Sequence, residues 1–228
     1  MFCFCCFVIA KKNCVKKKKD GMSDVPVRRK TRVCATCKSG TGAVRGSDGE
    51  IRCRECFVRW IEDSVLACIR ADALLAPGER VAVAISGGKD STALAHVLST
   101  LNKREDMHWD LQLLCIDEGI QGYRDKSIAT VHRNSAFYGL PLLVLPFEQL
   151  FGGYTLDTVA ARTAGRDGVA KNTCTYCGVF RRQALDIGAQ TLKCTKLATG
   201  HNADDAAETV LLNRLSLSPH SPTPTLVL

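Results

Sequence analysis

No stretch of this chain comes near the roughly 20 consecutive apolar residues of a membrane-spanning helix, which excludes a span. Nor does the start read as a secretory leader. Phe2-Cys3-Phe4-Cys5-Cys6-Phe7-Val8-Ile9-Ala10 is apolar, but Lys11, Lys12 and Lys16 to Lys19 follow it, whereas a leader carries its positive charge first. We expect residues 1–33 to be a disordered basic extension, with residues 1–21 lacking a folded role and Met22 opening a more natural start; a lysine-backed lipid anchor is the alternative. Net charge is missing from the rest of the chain. Residues 1–33 hold ten of the 31 Lys and Arg and two of the 23 Asp and Glu, so the formal +8 lies there and the remainder balances. Overall basicity therefore points to nucleic acid only through a local surface, or through Arg28 to Arg32 as a flexible arm. Two nucleotide signatures are absent as well. Neither G-x4-G-K-[ST] nor G-x-G-x-x-G occurs, which excludes a Walker loop and a Rossmann fingerprint.

Cysteine, by contrast, is abundant. Thirteen thiols without an export signal indicate a reducing, cytoplasmic compartment. Cys34-x2-Cys37 and Cys53-x2-Cys56 are separated by fifteen residues, the spacing of two knuckles that close four thiolates around one tetrahedral zinc. Gly40, Gly42, Gly46 and Gly49 between them suit tight turns, and a module this small needs a metal in place of a core. Residues 34–56 are expected to be a zinc ribbon. Residues 57–79 then form a linking helix, with Val58, Ile61, Val65, Ala67, Cys68 and Leu75 on its apolar side and Pro77-Gly78 as its stop; Cys68 is expected in the core.

With 46% hydrophobic and 24% charged residues, the remainder can bury one α/β core. That core begins at Val81-Ala82-Val83-Ala84-Ile85, an unbroken apolar run rich in β-branched residues that suits a parallel strand buried on both faces. Ser86-Gly87-Gly88-Lys89-Asp90-Ser91 follows. Leu94, Val97, Leu98 and Leu101 then recur as one face of a helix, so the glycines occupy a strand-to-helix turn. The first turn of a helix offers unpaired N–H groups and the positive end of the dipole, which makes the sextet a phosphate cradle. Gly87 and Gly88 allow close backbone approach, Ser86 and Ser91 add hydroxyls, and Lys89 adds a charge.

Downstream, the pattern continues as alternating strands and helices. Asp110 to Ile116 reads as a second strand ending at Asp117-Glu118-Gly119, where Asp117 could reach a ribose or magnesium or could be a turn acid. Arg124 to Tyr138 reads as a helix, Leu142 to Leu145 as a third strand, Thr155 to Ala164 and Val179 to Gly188 as helices, and Leu197 to Thr199 as a fourth strand. Cys174-Thr175-Tyr176-Cys177 precedes the Val179 helix beside Arg181 and Arg182, which favours thiolates; a redox pair, two cluster ligands and a nucleophile are all chemically open. Gly200-His201-Asn202-Ala203-Asp204-Asp205 opens a helix over 206–215, with Gly200 permitting close approach and Asp204 or Asp205 able to cap the helix or reach magnesium.

Taken together, S-G-G-K-D-S after a strand, C-T-Y-C-G-V-F-R-R, G-H-N-A-D-D-A-A-E-T and the leading four-cysteine ribbon resemble the cytosolic tRNA 2-thiolation subunit 1 family, related to the TtuA/TtcA-like PP-loop ATP pyrophosphatases. The resemblance runs from about Cys34 to Asn213. It implies an α/β parallel-sheet adenine-nucleotide domain of the PP-loop ATP pyrophosphatase type over 80–213, preceded by the small zinc ribbon. It implies ATP and Mg2+ at Ala84, Ser86, Gly87, Gly88, Lys89, Asp90, Ser91, Asp117, Arg181, Gly200 and Asp205. Cys174 and Cys177 match the catalytic pair, which in some members also ligates a [4Fe–4S] cluster. The implied activity is that of a tRNA sulfurtransferase: ATP is cleaved to AMP and diphosphate to adenylate the wobble uridine, and sulfur replaces its C2 oxygen. Implied partners are tRNA, a ubiquitin-like sulfur carrier bearing a thiocarboxylate, and a related second subunit or a second copy.

The tail departs from that family. Residues 214–228 turn Ser/Pro-rich and cannot pack as a core, and the family's third active-site cysteine, downstream of G-H-N-A-D-D, has no counterpart, since Cys194 precedes the motif. The expectation from this is a truncated or mis-spliced product that binds ATP but is defective in thiolation. Two other readings stay open: a PP-loop ligase or amidotransferase of another branch, and a non-catalytic protein that binds ATP, tRNA or a partner subunit.

Overall fold

In a computed structural model of the chain, residues 3–6, 33–120, 122, 124–163, 173–201, 204, 205 and 207 are described. The elements run β1 (Cys3–Cys6), β2 (Val44–Arg45), β3 (Ile51–Arg52), α1 (Arg54–Ala71), β4 (Arg80–Ala84), α2 (Lys89–Arg104), β5 (Asp110–Asp117), α3 (Arg124–Tyr138), β6 (Leu142–Pro146), α4 (Phe147–Leu150), α5 (Leu156–Thr163), α6 (Thr173–Thr191) and β7 (Lys196–Thr199). Five strands form one sheet in the order β1-β7-β4-β5-β6, every neighbouring pair parallel. The small pair β2 and β3 is antiparallel and stands apart.

Strict alternation along the central strands builds two apolar layers. Val81, Val83 and Ile85 of the β4 segment face one side with Leu111, Leu113 and Cys115 of β5, where they meet Val65, Leu66 and Ile69 of α1, Leu98 and Leu101 of α2, and Val131 of α3. Ala82 and Leu114 face the other side with Leu197, and there they meet Leu185 and Ala189 of α6. A strand covered on both faces has no use for polar residues, which is why β4 reads as an unbroken apolar run. Packing at the second layer is close. A Cβ on Gly188 of α6 would sit 2.6 Å from Leu114 Cδ1, so glycine lets that helix lie flat on β5.

Three expectations need correction. Cys3–Cys6, assigned above to a disordered extension, instead pairs in register with Lys196–Thr199 as the sheet's edge strand; an apolar, β-prone tetrad can satisfy the open backbone edge of β7. Residues 7–32 of that extension lie outside the described residues, as does the tail from 208. Cys68 is exposed, not core, because the buried stripe of α1 is Glu62, Val65, Leu66 and Ile69, and Cys68 stands about 100° around the helix from Ile69. Finally, α6 starts at Thr173 rather than Val179, so the cysteine pair lies within its first turns. The helix expected over 206–215 falls almost wholly outside the described residues. Cys115 of β5 and Cys194 just before β7 are packing groups: burial pushes Cys115 up to about 12 and Cys194 up to about 11, which keeps both protonated.

Candidate functional site

Because β5 lies on one side of β4 and β7 on the other, the chain's direction of travel across the sheet reverses at β4. A parallel α/β sheet opens a crevice at the carboxyl ends of its strands where the strand order reverses. A cavity of about 360 Å³ occupies that position. Ala84, Ser86, Gly88, Asp90 and Ser91 line it from β4 and the following turn, Asp117 and Glu118 from the end of β5, and Thr199, Gly200 and His201 from the end of β7.

The loop is fixed from within and from both sides. Ser86 N–H donates to Ser91 Oγ at 3.1 Å, and that hydroxyl donates to Gly88 O at 3.2 Å, so Ser91 ties the turn together instead of offering its proton to a ligand. Gly87 has φ +77°, and a Cβ there would lie 2.8 Å from the backbone oxygen of Ser127 on α3. Across the cavity, a Cβ on Gly200 would lie 2.9 Å from Ser91 N. Both glycines are therefore imposed by backbone packed against backbone. Gly88 is the N-cap of α2 and supplies no side-chain cap, which suits a first turn whose N–H groups serve an anion. Gly87 and Lys89 line a neighbouring groove behind the loop together with Val58, Ile61, His96 and Tyr138; Lys89 is not among the residues that line the main cavity.

The end of β5 carries a pair of ion pairs. Asp117 is only 6% exposed; its Oδ1 accepts from Gly119 N–H at 3.1 Å and its Oδ2 from Arg124 Nε at 2.7 Å. Glu118 accepts from Arg181 Nε, and Arg181 also donates from Nη2 to Cys177 Sγ at 3.2 Å. The Glu118 carboxylate beside it raises the Arg181 pKa, which keeps the guanidinium charged. Arg182, the other arginine beside the cysteines, turns back to Gly178 O at 3.1 Å. Thr199 Oγ1 and His201 Nδ1 lie 2.9 Å apart at the end of β7.

Of the residues expected at the site, the structure brings Ala84, Ser86, Gly88, Asp90, Ser91, Asp117, Arg181 and Gly200 around one cavity. Cys177 joins them through Arg181. Asp205, half-buried, is not among the lining residues, and the Cys174 side chain lies outside the described residues. Sequence reasoning missed Glu118, Arg124, Ser127, Thr199 and His201. The G-I-x-G-Y-R run after Asp117 held a signal for Arg124, a charged residue at the start of a helix close behind the strand end.

The ribbon forms a second centre. The ligand atoms of Cys34, Cys37, Cys53 and Cys56 all lie within 4.8 Å of one another, with Cys37 Sγ and Cys53 Sγ 4.0 Å apart. Four sulfurs about 2.3 Å from a tetrahedral zinc would stand about 3.8 Å apart. Turn geometry supports the cluster, since Gly40 N–H donates to Cys37 Sγ at 3.4 Å and a Cβ on Gly40 would approach Cys53 Cβ at 3.1 Å. The thiols share charge unevenly. Backbone N–H groups of Cys53 and Cys37 draw Cys34 down to about 6, while the neighbouring Cys53 side chain pushes Cys56 up to about 12. Four sulfurs converging this closely form a donor set that fits zinc, whose binding would displace the remaining thiol protons. Cys53 caps α1 and Cys56 lies in its first turn, so this centre is fused to the helix that packs on α2.

Comparison with known proteins places the chain among relatives. The PP-loop domain family matches residues 61–221. A cytoplasmic tRNA 2-thiolation protein 1 from Oryza sativa subsp. japonica is 50% identical over 197 residues, covering 86% of this chain and 53% of the relative. That of Arabidopsis thaliana is 55% identical over 163 residues, covering 72% and 44%. Among solved structures, the U34-tRNA thiolase NcsA from Methanococcus maripaludis with its [4Fe-4S] cluster superposes with a TM-score of 0.65 at 27% identity, covering 82% of this chain and 58% of that one. The chain thus spans about half the length of the curated relatives it matches.

Proposed function

Since this chain belongs to the PP-loop domain family and groups within it with the cytoplasmic tRNA 2-thiolation protein 1 sequences, we propose that it binds ATP and serves the 2-thiolation of the wobble uridine of cytosolic tRNAs. The observation that carries this reading is the cavity at the carboxyl ends of β4, β5 and β7, closed on one side by Ser86 to Ser91 at the start of α2. The N–H groups of that turn take the β,γ-diphosphate, Lys89 approaches it from the groove behind, and Mg2+ accompanies the nucleotide. Adenosine extends along the cavity toward the ends of β5 and β7, where Gly200 lets the end of β7 close against the first turn of α2.

The chemistry follows from the leaving group. A uracil C2 oxygen is a poor one, so the base oxygen attacks the ATP α-phosphate, diphosphate departs into the loop, and the oxygen becomes part of a leaving AMP. A sulfur nucleophile then adds at C2 and AMP is expelled. We assign the sulfur-handling role to Cys174 and Cys177, three residues apart on α6 and therefore on one helix face. Arg181 stands between the nucleotide cavity and Cys177 Sγ, where its charge favours the thiolate. A [4Fe–4S] cluster needs three or four protein ligands in most settings. Cys174 and Cys177 would supply two of those ligands. Zinc at the ribbon is structural. The implied partners are tRNA, a sulfur carrier with a terminal thiocarboxylate, and a second subunit or copy, all in the cytoplasm; no helix among the described residues is long and apolar enough to cross a membrane.

Calorimetry with ATP tests the first half of the reading, and thiouridine formation on unmodified tRNA with a sulfide donor tests the second. We expect ATP binding that Gly200→Ala abolishes. A chain that binds no ATP would remove the proposal.

A further inference from the structure

A cavity for a polyphosphate should not be lined with carboxylates, yet besides Asp90 in the loop, Asp117 and Glu118 line this one at the end of β5. For that pair the hydrogen bonds resolve the conflict. Asp117 has both oxygens occupied within the protein, one by Gly119 N–H and one by Arg124, and Glu118 is paired with Arg181. Consecutive strand-end residues point to opposite sides of a sheet. The two acids accordingly reach the two helical layers: Arg124 is the first residue of α3, which packs on one face, and Arg181 belongs to α6 on the other. Both arginines line the cavity, reaching it from opposite layers at the end of β5. A guanidinium presents five donors in a rigid fork, so a carboxylate held on its Nε side fixes the plane while leaving further donors for a second anion.

We infer that Arg124 and Arg181 form a two-sided clamp on the phosphate that stays with the nucleoside, and that Asp117 and Glu118 are positioning residues that hold the clamp open. The inference deepens the ATP-binding reading and rests on it. The turn at Ser86 to Ser91 takes the departing diphosphate, while the clamp, one strand over, takes the α-phosphate on which the base oxygen attacks. Two fixed positive groups there stabilise the charge that gathers on the α-phosphate during transfer, and they need no reorganisation to do so. Arg181 also touches Cys177 Sγ at 3.2 Å, so the same side chain borders the phosphate and the sulfur that must reach the base.

The test compares ATP, AMP and adenosine, each with Mg2+, by ligand-observed NMR, which follows binding into the millimolar range. Variants are Arg124→Lys, Arg181→Lys, Asp117→Asn and Glu118→Gln, which keep size and, for the lysines, charge. AMP affinity should fall roughly tenfold or more in each, the scale of losing a charge-assisted hydrogen bond. Adenosine, which has no phosphate, should behave alike in parent and variants; a merely structural role would weaken it in parallel. The double variant Asp117→Asn, Arg124→Lys should lose no more than Arg124→Lys alone, because the carboxylate acts through the arginine. Unchanged AMP binding in both lysine variants, a parallel loss for adenosine, or a parent that binds ATP but no AMP would each overturn the clamp. A parent that binds neither ATP nor AMP would instead overturn the ATP-binding reading itself.

Discussion

The ribbon and the nucleotide domain meet along α1 but are held together by different forces. Between Cys34 and Arg52 the only buried side chains are Cys34 and Arg52, and the guanidinium of Arg52 lies 4.8 Å over the Trp60 ring with its charge met by Asp48. The sheet instead buries two continuous apolar layers. A region with a metal in place of a core should collapse when the metal leaves, and a region with a core should not notice. The difference therefore makes the two separable by experiment.

Metal removal should have the largest effect. Structural zinc contributes apparent binding energies of about 10–16 kcal/mol at neutral pH in small modules, which is folding energy where no core exists. Cys34→Ser with Cys53→Ser, or a strong chelator, should release about one zinc per chain and leave residues 34–56 open to proteolysis. The amide protection of β4, β5 and β7 should persist. Equal zinc content in the variant, or loss of the sheet together with the metal, would erase the distinction between the regions.

The converse experiment follows. Leu98 of α2 is fully buried against the sheet, and Leu98→Ala should cost about 2–5 kcal/mol of domain stability through the cavity it leaves. Zinc content should not change. Denaturant unfolding read by far-UV circular dichroism, with metal analysis in parallel, checks both halves.

A smaller loss, aimed at function, tests the loop. Gly87→Ala forces an L-residue to φ +77° and drives a methyl to 2.8 Å from Ser127 O, so about 1–3 kcal/mol of strain should appear. The loop can relieve it only by leaving α3. ATP affinity should fall by more than stability does, and calorimetry beside thermal unfolding distinguishes the two. Affinity equal to that of the parent would mean that the turn is not part of the nucleotide site.

These same two regions differ in how far the sequence discloses them. Paired C-x2-C knuckles and an apolar run ending in glycines are local patterns, and the structure answers each locally: four converging sulfurs in the first, a doubly covered strand in the second. The strands after β4 were legible for the same reason. What escaped was set by distance along the chain. Glu118 and Arg181 are 63 residues apart, and nothing near either marks the other. For Asp117 the sequence leaves a ligand contact and a turn acid both open, because a strand-end acid shows no partner there; the Arg124 that pairs with it stands only seven residues on but across a turn. Cys68 falls outside the buried face because that face includes Glu62, a buried acid that accepts from Arg104 of α2 at 3.1 Å and that a stripe of apolar residues alone leaves out.

The smallest expected effect concerns another Asp–Arg pair, this one across the sheet. Arg80 Nε and Asp110 Oδ2 lie 2.5 Å apart across β4 and β5, with both side chains more than two-fifths exposed. The hydrogen bond from Arg80 holds the Asp110 carboxyl below its ordinary value. A depressed carboxylate stabilises the folded chain fully above its unfolded pKa, about 3.9, and loses that contribution as pH falls through the folded value. Solvent screening limits it to below about 1 kcal/mol. Asp110→Asn should therefore lower stability slightly and by a constant amount between about pH 5 and pH 8, with the gap to the parent closing under more acid conditions. Added salt should narrow the gap as well, since both charges face water. Chemical denaturation at several pH values decides it. A gap that widened on acidification would reverse the sign of the linkage and show that the pair costs stability, leaving the backbone ladder and the apolar layers to hold β4 against β5.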